Sequence, residues 1–490
     1  MKKPLLAVAG LALLGAFILF RAFTAFPDRQ LQDVAPLPDV AFDETALAGR
    51  LAAAIRIRTI SHDDRSRFDG GAFLDLHALL ERSFPRVHEA AEREVVAGYS
   101  LLYRLEGTDP GLKPALFMGH MDVVPVDEAT ADAWAHDPFS GDIVDGVIWG
   151  RGAMDDKVTV MALLEALERL LGDGRRPART VYLAFGHDEE VGGKDGAAAI
   201  AALLAERGVE FEFVLDEGGA VTEGFFPGVE QPVAIIGIAE KGYVNLHLTV
   251  NAAGGHSSQP PPHTAAGILA QAIVRVEANP FPADLSTMDA NFAYLGHYFP
   301  LTTRIALANR WLLGPVVKRQ LLSNPSTAAS IRTTTAVNML EGSSKSNILP
   351  TRATAVVNFR ILPGDSSAYI RERIVKIIDD PRVEVTASMV NEPSPVSATD
   401  SFGFALLQNT IQAQDGDVLV APYLVQGGTD AKHFVGLSDS VYRFVMIRAN
   451  RETMRRIHGV NEQIAVADYL RAVRFYHALM SRLHPQGLTT

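Results

Sequence analysis

Residues 180–193 read TVYLAFGHDEEVGG, an apolar, β-rich run that stops at two adjacent glutamates, Glu189 and Glu190, and then two glycines. A strand ending in carboxylates is where an open α/β sheet presents ligands, at the carboxyl ends of its strands. Adjacent side chains diverge, so one glutamate is expected to hold a metal while the other stays free to move protons. Four further stretches share the design, each following or abutting an apolar run: GHMD at 119–122, GRGAMDDK at 150–157, VLDEGG at 214–219 and RIHGVNE at 456–462. His120 and Asp122 are two apart at a strand end, so they share one side of the chain and Asp122 can accept the hydrogen bond of a ligating imidazole. Singly, each motif is ordinary. Acidic pairs are commonly solvated surface, a lone HxD is commonly a structural histidine beside a turn aspartate, Asp155 before a helix is commonly a cap, and His458 sits in a polar loop. Together they read as a two-metal hydrolase.

At 490 residues the chain is too long for one ordinary core, and an apolar fraction of 48% allows two well-buried ones. The net charge of −12 argues against a nucleic-acid partner, which asks for a basic face. The absence of cysteine removes thiolate ligands, cysteine nucleophiles and disulfides in one step, so any metal must be held by His, Asp and Glu. At the N-terminus Lys2 and Lys3 precede Leu5 to Phe20, an apolar run broken only by glycines and closed by Arg21. Segment 1–26 is therefore a secretory signal or a membrane anchor, with a buried soluble helix as the remaining reading. The bulky Phe20, Phe23 and Phe26 make a poor cleavage site and favour the anchor. A helix from Pro4 to Phe20 measures ~26 Å, close to the ~30 Å of a bilayer core. Lys2 and Lys3 on its N-terminal side predict that the rest of the chain is exported. Residues 27–43, rich in Pro, Asp and Gln, read as a linker.

Residues 44–238 alternate helix and strand. Helices are expected near 44–55, 71–83 and 196–207, and strands at 100–106, 115–118, 180–185 and 211–215. After Met154 the residues Val160, Met161, Leu164, Leu167, Leu170 and Leu171 recur at helical spacing, with Asp156 placed to cap the start. From 239 to 391 the order becomes strand 242–250, helix 264–278, strands 333–340 and 353–361, helix 366–379 and strand 383–390. That βαββαβ order is an inserted α+β unit, interrupted at 280–330 by a segment rich in Phe, Tyr, Trp and Leu. Residues 392–490 return to the first unit, with a helix at 401–414 and a strand at 442–448. The expected class is α/β, a mixed sheet flanked by helices, carrying this insertion.

The ordered set GHMDVVPV, RGAMDDKV, GHDEEVGG, VLDEGG, GGHSSQPP, VNFRILPG and RIHGVNE resembles the zinc aminoacylase and carboxypeptidase family. Within it, the likeness is to the carboxypeptidase S and N-fatty-acyl amino acid hydrolase branch. The similarity runs from about Phe42 to the C-terminus, and seven motifs in order make it specific. It implies a di-zinc aminopeptidase-like catalytic domain with a lid or dimerisation domain, and two Zn2+ per subunit. His120, Asp155 and Asp216 would hold one ion, with Asp155 bridging to a second held by Glu190 and His458. Two metals ~3.5–4 Å apart lower the pKa of a shared water while polarising a carbonyl. The resemblance further implies that Glu189 is the general base, that Asp122 orients His120, and that the peptide after Asp155 is cis. His256 matches a histidine that stabilises an oxyanion across a dimer or closed interface. Asn347 and Arg360 match lid residues that contact substrate, Arg360 being suited to bidentate capture of a free α-carboxylate, although a plain strand-end arginine is the alternative. Gly427, Gly428 and Thr429 resemble a substrate-side loop.

The expectation is an exported, membrane-anchored di-zinc amidohydrolase that acts on a small molecule, an amide next to a free carboxylate. The branch resemblance and the aromatic stretch Phe292 to Leu322 favour an N-acyl amino acid with a long apolar chain, although that stretch reads equally as dimer surface or membrane contact, and a homodimer through the lid is expected. The enzymatic alternative is a carboxypeptidase or dipeptidase on small peptides. A catalytically dead scaffold is the alternative of another class, but it would lack the base or a ligand, whereas Glu189 and all five presumed ligands are present.

Overall fold

The structure, a computed structural model, describes residues 2–484. In chain order, the larger unit contributes β1 (Glu92–Val96), β2 (Ser100–Leu105), β3 (Ala115–His120), β4 (Val181–Gly186), β5 (Phe213–Asp216) and β6 (Val233–Glu240). The smaller contributes β7 (Gly242–Asn251), β8 (Thr334–Glu341), β9 (Arg352–Ile361) and β10 (Val383–Asn391). The chain then returns through β11 (Leu419–Val425) and β12 (Val441–Arg443).

A ten-stranded mixed sheet runs β1-β2-β4-β3-β5-β12-β6, with two short strands beyond β6 and β11 parallel to it. The three parallel strands β4, β3 and β5 are continuous apolar runs, VYLAFG, ALFMGH and FVLD, buried on both faces as central parallel strands are. Helices Lys157–Gly172 and Val466–Ser481 share the core of one face, and Ala197–Glu206 that of the other. The register pairs His120 with Gly186 and Phe117 with Leu215, so the carboxyl ends of all three strands open on one side. That side carries the site.

The smaller unit is an antiparallel sheet in the order β8-β9-β7-β10, with helices Ala265–Ala278 and Ser367–Ile378 sharing its separate core. The βαββαβ order and its boundaries agree with the sequence pattern to within a residue or two, because β7 alternates buried and part-exposed positions along its length. The two crossings between units lie side by side: Glu240 N donates to Ser394 Oγ at 2.9 Å and Ser397 N to the Ile238 carbonyl at 2.8 Å.

Several expectations change. The expected strand 442–448 is two pieces, Val441–Arg443 and Arg448–Ala449, because the chain switches neighbour from β5 to Val221–Thr222. Strands β1, β6 and β11 were not anticipated; β11 contains Pro422, which an edge strand tolerates. Asp156 precedes its helix but does not cap it: its oxygens take the Thr159 hydroxyl and the His120 N–H instead. Segment 280–330, expected within the insertion, packs on the larger core through Phe292, Tyr294, Leu295, Phe299, Leu307 and Val317. It contains α2 (Leu301–Ala308) and α3 (Arg310–Leu322), which follow α1 (Lys2–Thr24) in the chain. Among the described residues no helix is long and apolar enough to cross a membrane. The stretch 27–43 is strapped down: Gln30 exchanges hydrogen bonds with the backbone of Val420, and Leu37 N donates to the Ala413 carbonyl.

Candidate metal centre

His120 ends β3 with 1% of its surface exposed. Its Nδ1 donates to the Asp122 carbonyl at 3.0 Å and lies 3.3 Å from the Asp122 carboxylate, which leaves Nε2 facing Asp155 Oδ1 at 2.9 Å. Asp155 Oδ2 lies 3.0 Å from His458 Nε2, and that nitrogen is 3.1 Å from Glu190 Oε2. One carboxylate thus presents one oxygen to each of two imidazoles, the geometry a bridging ligand needs. Donor atoms of His120, Asp155 and Glu190 all lie within 4.8 Å of one another, the one such group among the described residues. The donor set is oxygen and imidazole nitrogen only, which suits zinc and other borderline divalent ions.

Asp216 reaches the same side at the end of β5, buried, with its oxygens accepting from Glu217 N at 2.9 Å and Ala431 N at 2.7 Å. It stands outside the close cluster. Glu217, next to it, faces Asp155, Asp156 and His120, and burial together with Asp155 drives its carboxyl well above the usual range.

Electrostatics follow from packing acids without water. Burial, then Asp430 and Glu190, raise Glu189 well above an ordinary glutamate, against the pull of His120. Burial also raises Asp216. Burial opposes ionisation of Asp155, yet the hydrogen bonds of His120 and His458 overcome it and hold the carboxyl low. Hydrogen bonds to Asp155 and Glu190 push His458 up to about 10. Strong acid–imidazole pairs of this kind are ones a dication could replace.

Within the opening motif the roles divide. His187 is walled by Phe68, Phe73 and Tyr99 and bonds Ser100 Oγ at 2.7 Å. Asp188 accepts from the backbone of Asp195 and Gly196. Both are props, and they turn Glu189 and Glu190 toward His120. Gly193 has φ +70°, and a Cβ there would meet Asp430 Oδ1 at 2.1 Å, so the turn needs glycine.

Two further residues brace the site. Asp122 Oδ1 accepts from Glu189 N at 3.2 Å and Oδ2 from Glu190 N at 3.1 Å, so the residue beside His120 also seats both glutamates. Glu462, fully buried at the end of RIHGVNE, accepts from the backbone N–H of Gly152, Met154 and Asp155 at 3.0, 2.8 and 3.2 Å and pairs with Arg151 Nη1 at 2.5 Å. It clamps the turn that presents Asp155, and the Asp155–Asp156 peptide is cis as expected.

On the smaller unit His256 and Asn347 are adjacent: His256 pairs with Ile348 across a two-stranded ribbon, and Ser257 N donates to the Asn347 carbonyl. Both are exposed, and His256 Nδ1 accepts from Ser258 N. No hydrogen bond or ion pair among the described residues joins them to the metal-donor cluster. Arg360 is half-buried on β9, its guanidinium 4.7 Å over the Tyr243 ring. Beside it lies Lys241, which sequence reading passed over. Its ammonium donates to the carbonyls of Ala329 and Arg332, and burial with Arg360 and Arg332 lowers it to about 7. The neighbouring Glu240 holds the Gly427–Thr429 loop, accepting from Thr429 N and Oγ1 at 3.0 Å each. A cavity of 230 Å³ lies next to the crossing, lined by Ile238, Ala239, Met288, Ala290, Tyr423 and Leu424 among others.

A cluster of His, Asp and Glu donors at the carboxyl edge of this sheet, in a chain that also carries a smaller α+β unit, defines a metallohydrolase. The sequence profile of Peptidase family M20/M25/M40 matches residues 116–482, and the chain belongs to that family. It is 41% identical over 439 residues to the probable carboxypeptidase S-like 2 of Dictyostelium discoideum, covering 89% of this chain and 84% of that one. It is 40% identical over 445 residues to the human N-fatty-acyl-amino acid synthase/hydrolase, covering 89% and 88%. It is 33% identical over 499 residues to carboxypeptidase S of Saccharomyces cerevisiae, covering 90% and 84%. Among solved structures, an M20 family metallo-carboxypeptidase from Sulfolobus solfataricus superposes with TM-score 0.64 at 19% identity, over 90% of this chain and 99% of that one. Human carnosine dipeptidase 1 gives TM-score 0.59 at 17% identity, over 89% and 96%. These last two are likenesses of fold.

Proposed function

We propose that this chain is a di-zinc amidohydrolase that cleaves N-acyl amino acids carrying long apolar acyl chains, exported and held at a membrane by α1. The observation that carries the substrate reading is the pairing, at the crossing between the units, of a cationic site with an apolar cavity. Lys241 and Arg360 suit a free α-carboxylate, and the 230 Å³ cavity beside Ile238 and Ala239 suits hydrocarbon.

In this reading His120, Asp155 and Asp216 hold one ion and Asp155, Glu190 and His458 the other. When bound, the ions supply Lewis-acid polarisation of the amide carbonyl and lower the pKa of water. Glu189 takes the proton from the attacking water and returns it to the leaving amine, a role that its burial-raised carboxyl matches. Asp122 keeps the His120 ring in the tautomer that leaves Nε2 for metal. His256 meets the developing oxyanion when the smaller unit closes or pairs with a second copy, and Asn347 contacts the substrate beside it.

The test is a substrate series from acetyl to long acyl chains on one amino acid. The catalytic efficiency is expected to gain up to ~0.8 kcal/mol per buried methylene until the cavity fills. A flat profile with brisk cleavage of unblocked dipeptides would move the assignment to the peptidase alternative. Removal of residues 1–26 is expected to release soluble, active enzyme from the membrane fraction.

A further inference from the structure

The last third of α1 is seated on α2 and the start of α3. Arg21 Nε donates to the Ala308 carbonyl at 2.9 Å, Asn309 Nδ2 donates to the Ile18 carbonyl at 3.1 Å, the Arg304 guanidinium lies 5.5 Å over the Phe23 ring, and the Phe17 and Trp311 rings stand 6.5 Å apart. Asn309 is fully buried by this joint. Around it, apolar groups of both helices remain exposed. Leu11, Leu13 and Phe20 on α1 are 70%, 72% and 63% exposed, and Trp311, Leu312 and Val316 on α3 are 59%, 45% and 63% exposed. Positions 312 and 316, four apart, fall on one helical face, with Trp311 at its edge.

Charge sets this surface apart. In a chain of net charge −12, residues 1–27 and 301–322 contain no acid, and they carry Lys2, Lys3, Arg21, Arg304, Arg310, Lys318 and Arg319. The joint engages Arg21 and Arg304, and Arg310 pairs with Asp289, which leaves Lys318 and the exposed Arg319 beside the apolar face. An apolar stripe headed by tryptophan and flanked by cations is complementary to the headgroup boundary of an anionic bilayer.

We propose that α3 is an interfacial membrane-docking element. With α1 held at the bilayer, the Trp311, Leu312 and Val316 face lies among the outer acyl chains and seats the catalytic unit on the lipid surface. The proposal rests on the reading of α1 as an anchor. The same insert supplies Met288 and Ala290 to the apolar cavity, so a substrate dissolved in the bilayer approaches from the docked side.

The test uses the full chain in vesicles of phosphatidylcholine and phosphatidylglycerol, with plain or brominated acyl chains. The Trp311 signal is the emission of the unaltered chain minus that of Trp311→Phe. Expected are flotation with the vesicles and loss of more than half of the Trp311 signal in brominated lipid. The double variant Leu312→Glu/Val316→Glu is expected still to float, to lose the quenching, and to turn over a vesicle-embedded long-acyl substrate severalfold more slowly with a soluble acetyl substrate unaffected. A floating chain whose Trp311 is unquenched, or is shielded by cross-linking to a second copy, overturns the docking proposal and leaves the anchor standing. A chain that does not float overturns both.

Discussion

Replacing Glu462 by Gln keeps its shape and removes its charge, and the structure sets the cost. The carboxylate serves three backbone N–H groups and the buried Arg151 at once. Gln preserves one acceptor oxygen for the turn but offers an amide N–H to Arg151, which then lacks its counter-charge. Removing one partner of a buried ion pair costs ~3–5 kcal/mol. Arg151 keeps its bond to the Gly459 carbonyl and its place 5.5 Å over the Trp134 ring, so ~3 kcal/mol, the low end, is expected. Because the same carboxylate holds the Asp155 N–H, the aim of the bridging oxygens loosens, and zinc affinity is expected to fall ~10–100-fold, the range for a residue that orients a ligand. Urea unfolding with and without zinc, and chelator competition for zinc, read the two effects separately. Lower stability with unchanged zinc affinity would refute the claim that Glu462 aims Asp155 and leave it as a brace of the fold.

Glu189→Gln is expected to abolish turnover with bound zinc nearly unchanged, whereas Asp155→Ala loses metal; elemental analysis beside activity checks both, and a near-normal rate for Glu189→Gln would sink the base assignment. Arg360→Ala is expected to weaken acid substrates by ~1.5–3 kcal/mol in kcat/KM while sparing the corresponding amides. Lys241 supplies a pH signature. Its ammonium form persists only below about 7, so KM for acid substrates is expected to rise as the pH climbs through that value, with a flat profile for amides and for Lys241→Met. In stability, the unfolded lysine keeps its proton up to 10.5 while the folded one releases it near 7, so the unfolded state binds more protons between those values. Stability contributed at this site therefore rises with pH across the window, and urea titrations of Lys241→Met are expected to lack that rise.

What was legible in the chain is what local pattern encodes. The alternation of β7 and the strand ends at His120, Glu189 and Asp216 needed no knowledge of distant partners. Contacts across the chain were not legible: Glu462 meets Arg151 from 311 residues away, and nothing in NEQ announces it. Lys241 carries no motif of its own, and only the folded insert brings the Ala329 and Arg332 carbonyls to its ammonium. Segment 280–330 was assigned by sequence order to the smaller unit, whereas its aromatics had a larger apolar surface available beside β11.

Asp122 shows why such a site resists dissection by single motifs. Spacing alone ties it to His120, but its two oxygens also hold the N–H groups of Glu189 and Glu190. One buried carboxylate thereby sets the spacing of the His120 imidazole, Glu190 and Glu189. Burial opposes its charge, and the hydrogen bond from His120 keeps it ionised all the same. Any change that neutralises it is expected to loosen His120 and both glutamates together, so the motifs GHMD and GHDEE act as a single unit although 67 residues separate Asp122 from Glu189.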